Sequence, residues 1–317
     1  MNNRLIEVKH LKKYFQTPGG PLHAVDDLNF YIDKGETLGL VGESGCGKST
    51  TGRVILRLIE PTEGEVLYNG ENICCYGKDK MREMRKRMQI VFQDPYSSLD
   101  PRHNVFECIE EPLKVNRVYK DKKQVEERVF ELMETVGLAP RLVSSYPHEL
   151  DGGRRQRVGV ARALALKPDF LVLDEPVSAL DVSIQAQVLN LLQELQEKMG
   201  LTYLFISHNL SVVKHISDRI AVMYLGMIVE LADYRTIFQN PFHPYTKALL
   251  SAVPVPRLDV QRERIILEGD VPSPVNPPAG CRFCKRCPYC TEKCTENAPG
   301  FYEVEPGHFV ACHLVNG

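Results

Sequence analysis

The stretch from Gly42 to Thr50, which reads GESGCGKST, has the residue types and spacing of a loop that binds phosphate. It follows an apolar segment with the character of a buried strand and precedes a segment with the character of a helix. Glycines let successive backbone N–H groups point inward, and the N-terminus of the helix adds partial positive charge. The sequence therefore predicts a nucleoside triphosphate site made of Gly42, Ser44, Gly45, Cys46, Gly47, Lys48, Ser49 and Thr50. In such a site Lys48 contacts the β- and γ-phosphates, and Ser49 ligates Mg²⁺.

Two acids at the end of another apolar segment supply the second half of the predicted chemistry. Asp174 and Glu175 follow Phe170–Leu173, and an acid at the tip of a buried parallel strand can hold Mg²⁺. Glu175 can then orient or deprotonate the attacking water. Two acids that merely cap the next helix are the alternative, which the phosphate loop makes less favourable.

Two further polar residues stand at the ends of predicted strands. His208 follows the apolar segment Thr202–Ser207 and can contact the γ-phosphate. Gln93 follows Met88–Phe92 and can sense Mg²⁺ and water. By itself, a strand-end histidine is more often structural. The register of His208 with Asp174 and Glu175 favours the catalytic interpretation. The sequence therefore assigns catalysis to Glu175, His208 and Gln93, and it predicts Ser49, Gln93 and Asp174 as the ligands of magnesium.

Short apolar segments and helical periodicity indicate an α/β protein with a mixed sheet. Strands are predicted at Leu5–Val8, Leu28–Ile32, Thr37–Val41, Glu65–Tyr68, Met88–Phe92, Phe170–Asp174 and Thr202–Ser207. Helices are predicted at Thr50–Ile59, Gln124–Val136, Arg155–Leu166 and Ile184–Lys198. We expect an ATPase domain over residues 1–238 with a helical subdomain at about 94–166. Residues 239–317 are predicted to be a linker interrupted by prolines, Pro254 and Pro256 among them, and a cysteine-rich extension.

Composition excludes several classes of protein. The 317 residues carry a net charge of −2, which argues against a surface that coats nucleic acid. No apolar run is long enough to cross a bilayer, and the N-terminus lacks the apolar core of a signal peptide. We therefore expect a cytosolic protein, or one that is held at a membrane by its partners.

The cysteines are unevenly distributed, since six of the ten lie between Cys281 and Cys312. In a reducing compartment such a cluster indicates metal ligation before disulfides. A [4Fe–4S] cluster and a structural zinc site are the two candidates, and thiols without metal are the third alternative.

A second glycine pair lies in Leu150–Gln156, which reads LDGGRRQ, at the start of a predicted helix. Paired glycines at a helix N-terminus can form another anion site. Because this pair is far in sequence from the phosphate loop, it can serve a different nucleotide. A simple turn between two helices is the alternative.

In this order, the motifs resemble those of the ATPase subunit of an ATP-binding cassette (ABC) transporter, over about residues 5–230. The resemblance identifies Gln93 as the Q-loop glutamine, Ser178–Asp181 as the D-loop and His208 as the switch histidine. It implies a head-to-tail dimer, in which each ATP lies between one phosphate loop and the partner's signature motif. That motif is formed here by Asp151, Gly152, Gly153 and Arg154. The resemblance also implies an aromatic residue that stacks on adenine, with Phe15 as first choice and Tyr14 as the alternative.

The C-terminal third resembles the ATPase subunits of oligopeptide and dipeptide importers, through Asn240–Leu250, Pro254–Pro256 and the cysteine-rich segment. Nickel importers share this extension, and a soluble ABC-type ATPase is a more distant alternative. The resemblance implies a second ATPase subunit, two integral membrane permease subunits and an extracytoplasmic solute-binding protein as partners. It places the chain at the cytoplasmic face of the membrane. Four recurrent cysteines of these proteins, which hold a [4Fe–4S] cluster, fall on Cys281, Cys287, Cys294 and Cys312, with zinc as the alternative metal.

One departure from the family pattern concerns the signature motif, which usually reads LSGGQ. Asp151 and Arg154 replace its serine and glutamine. A carboxylate in this place repels phosphate unless a cation such as Arg154 or Arg155 neutralises it. We therefore expect this chain to work beside a different ATPase subunit, in a dimer whose two sites are unequal.

Overall fold

The computed structural model describes residues 3–253 and 264–315, so Pro254 and Pro256 of the expected linker lie outside the described residues. The chain forms two compact units. The first unit comprises Met1–Asp33, Thr37–Cys75 and Ile206–Gly317, and the second comprises Lys34–Glu36 and Tyr76–Phe205. The boundaries at 94, 166 and 238 that the sequence suggests remain predictions.

The strands are β1 (Arg4–Thr17), β2 (Gly20–Asp33), β3 (Thr37–Val41), β4 (Glu63–Tyr68), β5 (Glu71–Asn72), β6 (Met88–Val91), β7 (Phe170–Asp174), β8 (Thr202–Ser207), β9 (Arg219–Tyr224), β10 (Met227–Asp233), β11 (Tyr302–Glu305) and β12 (His308–Val310). The helices are α1 (Lys48–Ile55), α2 (Lys78–Arg87), α3 (Pro95–Ser98), α4 (Val105–Val115), α5 (Lys122–Thr135), α6 (Gly152–Leu164), α7 (Val182–Met199), α8 (Leu210–Ile216), α9 (Tyr234–Gln239), α10 (Pro244–Ser251) and α11 (Glu292–Glu296).

In the first unit, an antiparallel sheet has the strand order β2-β1-β4-β5. A second series of strands runs β11-β12-β10-β9-β3, in which β3 and β9 are parallel. All five residues of β3 are buried, as expected for an apolar strand that is covered on both faces. Helix α8 packs closely on this strand, because a Cβ atom at Gly39 would lie 2.4 Å from Cγ1 of Val213. The first unit thus fixes the strand from which the phosphate loop emerges.

In the second unit, β6 and β7 are parallel, and β8 lies beside β7. Every residue of β7 is buried, so this strand is covered on both faces as far as its carboxyl end at Asp174. Between β6 and β7, the described part of the chain contains helices α3–α6 and short 3₁₀ turns. Helix α4 begins with a capping box, in which Asn104 accepts from the backbone of Glu107 and Glu107 accepts from that of Asn104.

Two elements differ in length from those that the sequence predicts. The helix after the phosphate loop begins at Lys48 and ends at Ile55, before the expected end at Ile59. Arg57 adopts a left-handed backbone conformation with φ 48°, which ends the helical path. Strand β1 continues past Val8 to Thr17, because it pairs with β2 on one side and β4 on the other.

The C-terminal extension adds ordered structure to the first unit. Strand β12 pairs with β10, and β11 pairs with β12, so the extension lengthens the series of strands. Phe283 is 1% exposed and packs against the rings of Tyr224 and Tyr245, at centroid distances of 5.3 and 5.4 Å. In the described residues, none of the helices has the length and apolar character that a membrane span requires.

Candidate active site

The phosphate loop between β3 and α1 depends on two glycines that nothing larger can replace. Gly42 and Gly47 have φ angles of 155° and 105°, which side chains disfavour. A Cβ atom at Gly42 would lie 2.1 Å from the carbonyl oxygen of Met223, and one at Gly47 would lie 2.0 Å from that of Ala24. The neighbouring backbone therefore contacts the loop directly and fixes its curvature.

The lysine of this loop is buried and points back over it. Lys48 Nζ donates to the carbonyl oxygens of Gly42, at 2.8 Å, and Glu43, at 3.0 Å. Its ammonium group therefore lies where the negative charge of a bound phosphate would be balanced. Ser49 and Thr50 follow as the second and third residues of α1. Burial raises the pKa of Cys46 more than the nearby Lys48 lowers it, so this thiol adds no negative charge near neutral pH.

In the second unit, the structure brings two of the predicted catalytic residues together. Gln93 Nε2 donates to Glu175 Oε2 at 3.1 Å. Asp174 is 1% exposed at the end of β7, directly before Glu175. Glu175 has φ 48°, a conformation that costs a non-glycine residue free energy and that is frequent at functional sites. The carboxylate of Glu175 is thus held by Gln93, which the sequence also predicts to be catalytic.

His208 directly follows β8, in the part of the chain that belongs to the first unit. The next residue, Asn209, caps helix α8 by accepting from the backbone of Ser211 at 3.0 Å. The strand end and the helix cap together determine where the His208 backbone lies.

The signature motif forms the start of helix α6. Asp151 is the N-cap residue, and its carboxylate accepts from the backbone of Arg154 at 2.8 Å. The Arg154 side chain also pairs with this carboxylate, at 3.4 Å from Nε to Oδ2. Arg155 instead donates from Nε to the carbonyl oxygen of Pro147 at 2.6 Å. Of the two arginines considered from the sequence, Arg154 is the one that partly neutralises Asp151.

The glycine pair of the signature motif has a packing role that the sequence analysis missed. A Cβ atom at Gly152 would lie 2.8 Å from Cδ2 of Leu180, and one at Gly153 would lie 2.5 Å from Cγ2 of Ile184. The glycines therefore let α6 approach the D-loop and the start of α7 within the second unit. Only the contact partners reveal this, and they are about thirty residues away in sequence.

The two candidate aromatic residues for adenine stacking have different surroundings. The Tyr14 hydroxyl donates to Asp26, and the Tyr14 ring stacks on His23 at a centroid distance of 3.9 Å. Burial, followed by the hydrogen bond with Asp26, raises the pKa of Tyr14. Phe15 is 36% exposed, and among the described residues its ring contacts Lys13 Nζ, which lies 5.0 Å from the centroid. Phe15 thus has the more accessible ring.

The six C-terminal cysteines fall into two groups. Cys284 and Cys290 form a disulfide, which the expectation of metal ligation had not included. The other four, Cys281, Cys287, Cys294 and Cys312, are free thiols. Burial, with smaller contributions from charge on the other three thiols, raises the pKa of Cys281 to about 11. Over residues 3–253 and 264–315, no three or more His, Cys, Asp or Glu side chains are arranged to hold a metal ion.

Comparison with known proteins assigns the family. The family described as ABC transporter matches residues 25–178, and the one described as oligopeptide/dipeptide transporter, C-terminal region, matches residues 229–294. The chain is 54% identical to the oligopeptide transport ATP-binding protein OppF of Bacillus subtilis, over 98% of this chain and 97% of the relative. The chain belongs to the ABC transporter family. Its identity to the oligopeptide transport ATP-binding protein AppF of the same organism is 53%, with the same coverage of both chains.

Solved structures of ABC ATPases have the same fold. A dimeric post-hydrolysis state of the ATP-binding cassette MJ0796, bound to ADP and Pi, superposes with a TM-score of 0.66 at 29% identity. The superposition covers 73% of this chain and 99% of the MJ0796 chain. CbiO1 of Clostridium perfringens, part of the ABC transporter complex cbiONQ, superposes with a TM-score of 0.67 at 25% identity, over 75% of this chain and 92% of its own. The predicted α/β phosphate-loop core with a mixed sheet is confirmed, and the chain is an ABC-type ATPase.

The exposure of Phe15 and the engagement of Tyr14 generate a prediction about adenine binding. We expect Phe15→Ala to weaken Mg·ATP binding by about tenfold, because stacking on an aromatic ring contributes roughly 1–3 kcal/mol per base. Tyr14→Phe removes only the hydroxyl, so it should change the dissociation constant by less than about threefold. Titration calorimetry with the purified chain measures both constants. A larger loss for Tyr14→Phe than for Phe15→Ala would contradict the assignment.

Proposed function

We propose that this chain is the ATP-hydrolysing subunit of an ABC importer for dipeptides and oligopeptides. The observation that carries the proposal is the joining of the phosphate-loop core to a C-terminal region of the oligopeptide/dipeptide transporter type, at residues 229–294. Relatives of 53–54% identity over nearly the whole chain are named for oligopeptide transport. An importer of nickel or another small solute from the same subfamily is the second candidate.

In this proposal the chain is a peripheral protein at the cytoplasmic face of the membrane. Its partners are a second ABC ATPase subunit, two integral membrane permease subunits and an extracytoplasmic solute-binding protein. The dimeric ATP-binding cassette among the similar structures supports an ATPase dimer. ATP stabilises such a dimer by binding its closed form more tightly than its open form.

Residues of both units have proposed roles in ATP hydrolysis. Lys48 and the N–H groups of the loop bind the phosphates, and Ser49, Gln93 and Asp174 are the proposed ligands of Mg²⁺, which when bound balances charge on the phosphate oxygens. Glu175 orients and deprotonates the attacking water, and its hydrogen bond with Gln93 holds the carboxylate in place. His208 contacts the γ-phosphate.

The atypical signature motif supports a heterodimer with unequal sites. Asp151 is 57% exposed, so its negative charge faces solvent where the partner's nucleotide would bind. Arg154 offsets this charge only in part, since the contact is a single exposed ion pair. The ATP site completed by this motif is therefore the weaker of the two.

The cysteine cluster is the proposed site of a [4Fe–4S] centre, with zinc as the alternative. The disulfide removes Cys284 and Cys290 from consideration, and four thiols remain, which is the number that such a centre requires. The support for the centre is this number of free thiols, since the described residues show no arrangement of them around a common metal position. When bound, the centre would supply structural cross-linking to a short segment with little core of its own.

The transport function predicts that peptide uptake depends on Glu175. We expect the complex, reconstituted in vesicles, to take up peptide only with internal Mg·ATP. Glu175→Gln should lower hydrolysis and uptake at least about 100-fold, as for loss of a general base, while ATP binding persists. Glu194→Gln, which removes an exposed carboxylate paired with Lys198, is the control and should retain both activities. Uptake of nickel without uptake of peptide would favour the second candidate.

The unequal dimer predicts a gain of activity from Asp151→Ser. Serine can cap α6 as aspartate does, so stability is kept while the charge facing the partner's phosphate is lost. ATP hydrolysis by the assembled transporter should rise about threefold or more, because the repulsion between this carboxylate and the phosphate is removed. Asp121→Ser changes a comparable N-cap, that of α5, and is the matched control. If Asp151→Ser gives no gain, the proposal of unequal sites is wrong.

The metal proposal predicts different results for the two groups of cysteines. In anaerobically purified protein, Cys281→Ser and Cys312→Ser should each lose iron and acid-labile sulfide, because each removes a ligand. The double variant Cys284→Ser with Cys290→Ser should retain both. Elemental analysis and visible absorption measure the content. Stoichiometric zinc in place of iron would show the alternative metal, and loss of iron from the double variant alone would contradict the ligand set.

A further inference from the structure

The second residue of the phosphate loop, Glu43, is held from three directions. Its backbone N–H donates to the hydroxyl of Tyr245 at 3.0 Å, and its carbonyl oxygen accepts from Lys48 at the same distance. Its carboxylate accepts from Arg286 Nη1 at 2.8 Å. Lys48 belongs to the loop itself, but Tyr245 and Arg286 lie in the C-terminal third of the chain. The loop is therefore anchored to a region that carries none of the nucleotide-binding motifs.

Arg286 is supported by a covalent cross-link and by apolar packing. Arg286 ends the 3₁₀ turn Cys284–Arg286, and its side chain is 9% exposed. The disulfide from Cys284 ties one end of this turn to Cys290. Phe283, directly before the turn, is buried against Tyr245, the residue whose hydroxyl binds the loop. The turn and the tyrosine thus form one packed support under Glu43.

A second arginine of the same segment reaches the other end of the loop indirectly. Arg282 donates to the carbonyl oxygen of Leu225 and to the carboxylate of Asp26. Gly226, which follows Leu225, donates its N–H to the carbonyl oxygen of Cys46 in the phosphate loop, at 2.9 Å. Asp26 also accepts from Tyr14, the neighbour of Phe15. The cysteine-rich segment is therefore connected to both the phosphate end and the proposed adenine end of the site.

The Glu43–Arg286 pair is suited to positioning. It is largely shielded from solvent, with 27% and 9% of the side chains exposed, so screening by water and salt is weaker than at the surface. Loss of either partner leaves the other charge poorly solvated, and the Glu43 backbone can then rotate. Because the N–H groups of the loop must point at the phosphates, small rotations reduce nucleotide affinity.

We propose that Arg286 is a positioning residue of the ATP site, which acts through Glu43 to hold the phosphate loop in its phosphate-binding curvature. The cysteine-rich segment is then a brace for nucleotide binding as well as the proposed metal site. This inference rests on the proposed function, because it requires that the loop binds ATP.

A double-mutant cycle on the full chain tests the proposal. We expect Arg286→Gln and Glu43→Gln each to raise the dissociation constant of Mg·ATP about tenfold, in line with the effect of small misplacements in binding sites. The dissociation constant of the double variant should lie within about twofold of that of either single variant, because the same contact is lost in all three. Arg286→Lys, which keeps the charge, should restore most of the affinity. Arg235→Gln, at an exposed arginine of α9 in the same unit, is the control and should bind as the wild type does.

Kinetics separate positioning from a general loss of structure. In the variants, KM for ATP should rise in parallel with the dissociation constant, while kcat at saturating ATP stays within about twofold of the wild type. Unchanged ATP affinity in folded Arg286→Gln, or fully additive losses in the double variant, would overturn the proposal. If Arg286→Gln does not fold, Glu43→Gln decides, since it leaves the C-terminal segment intact. A wild-type chain that binds no Mg·ATP would instead overturn the proposed function.

Discussion

The function of this ATPase depends on the backbone path between β3 and α1. Two carbonyl oxygens from neighbouring strands, those of Ala24 and Met223, lie so close to Gly47 and Gly42 that no Cβ atom fits. The loop is therefore shaped by backbone contacts, and its side chains only complete a cradle that already exists. Helix α1 begins at Lys48, so the N–H groups of its first turn face the proposed position of the phosphates.

The hydrolytic half of the site uses strain in a different way. Glu175 has a left-handed backbone conformation directly after a strand with no exposed residue. Such a conformation persists only where the surroundings over-determine it, and the buried strand β7 together with Gln93 provides those surroundings. A carboxylate on an ordinary flexible turn would lose more entropy when it orients a water molecule. The buried strand thus fixes the proposed catalytic carboxylate in the protein alone, without a nucleotide.

The sequence predicted the features whose determinants are local. The phosphate loop is recognisable because its glycines, lysine and serine lie within eight residues, and the buried strands β3, β7 and β8 are continuous apolar segments. Asp151 could also have been recognised as an N-cap, since aspartate before a helix is a known start signal. In contrast, strands β11 and β12 are short, and their place in the sheet is set by the pairing of β12 with β10, about eighty residues earlier. The choice of Cys284 and Cys290 as the disulfide, among fifteen ways to pair six cysteines, likewise depends on the folded positions.

The contacts between the C-terminal extension and the phosphate loop join residues more than two hundred positions apart in sequence, and they are made by polar groups for a physical reason. An ion pair between partly buried residues contributes little net stability, because desolvation offsets most of the Coulombic attraction. Its directionality, however, fixes the relative position of two backbones more tightly than an apolar contact of equal area. Arg286 and the Tyr245 hydroxyl both act on Glu43, while Phe283 supplies the apolar packing that keeps them in place. The extension therefore combines an apolar anchor with directional contacts, which is the combination needed to hold a loop whose own residues must remain available for phosphate.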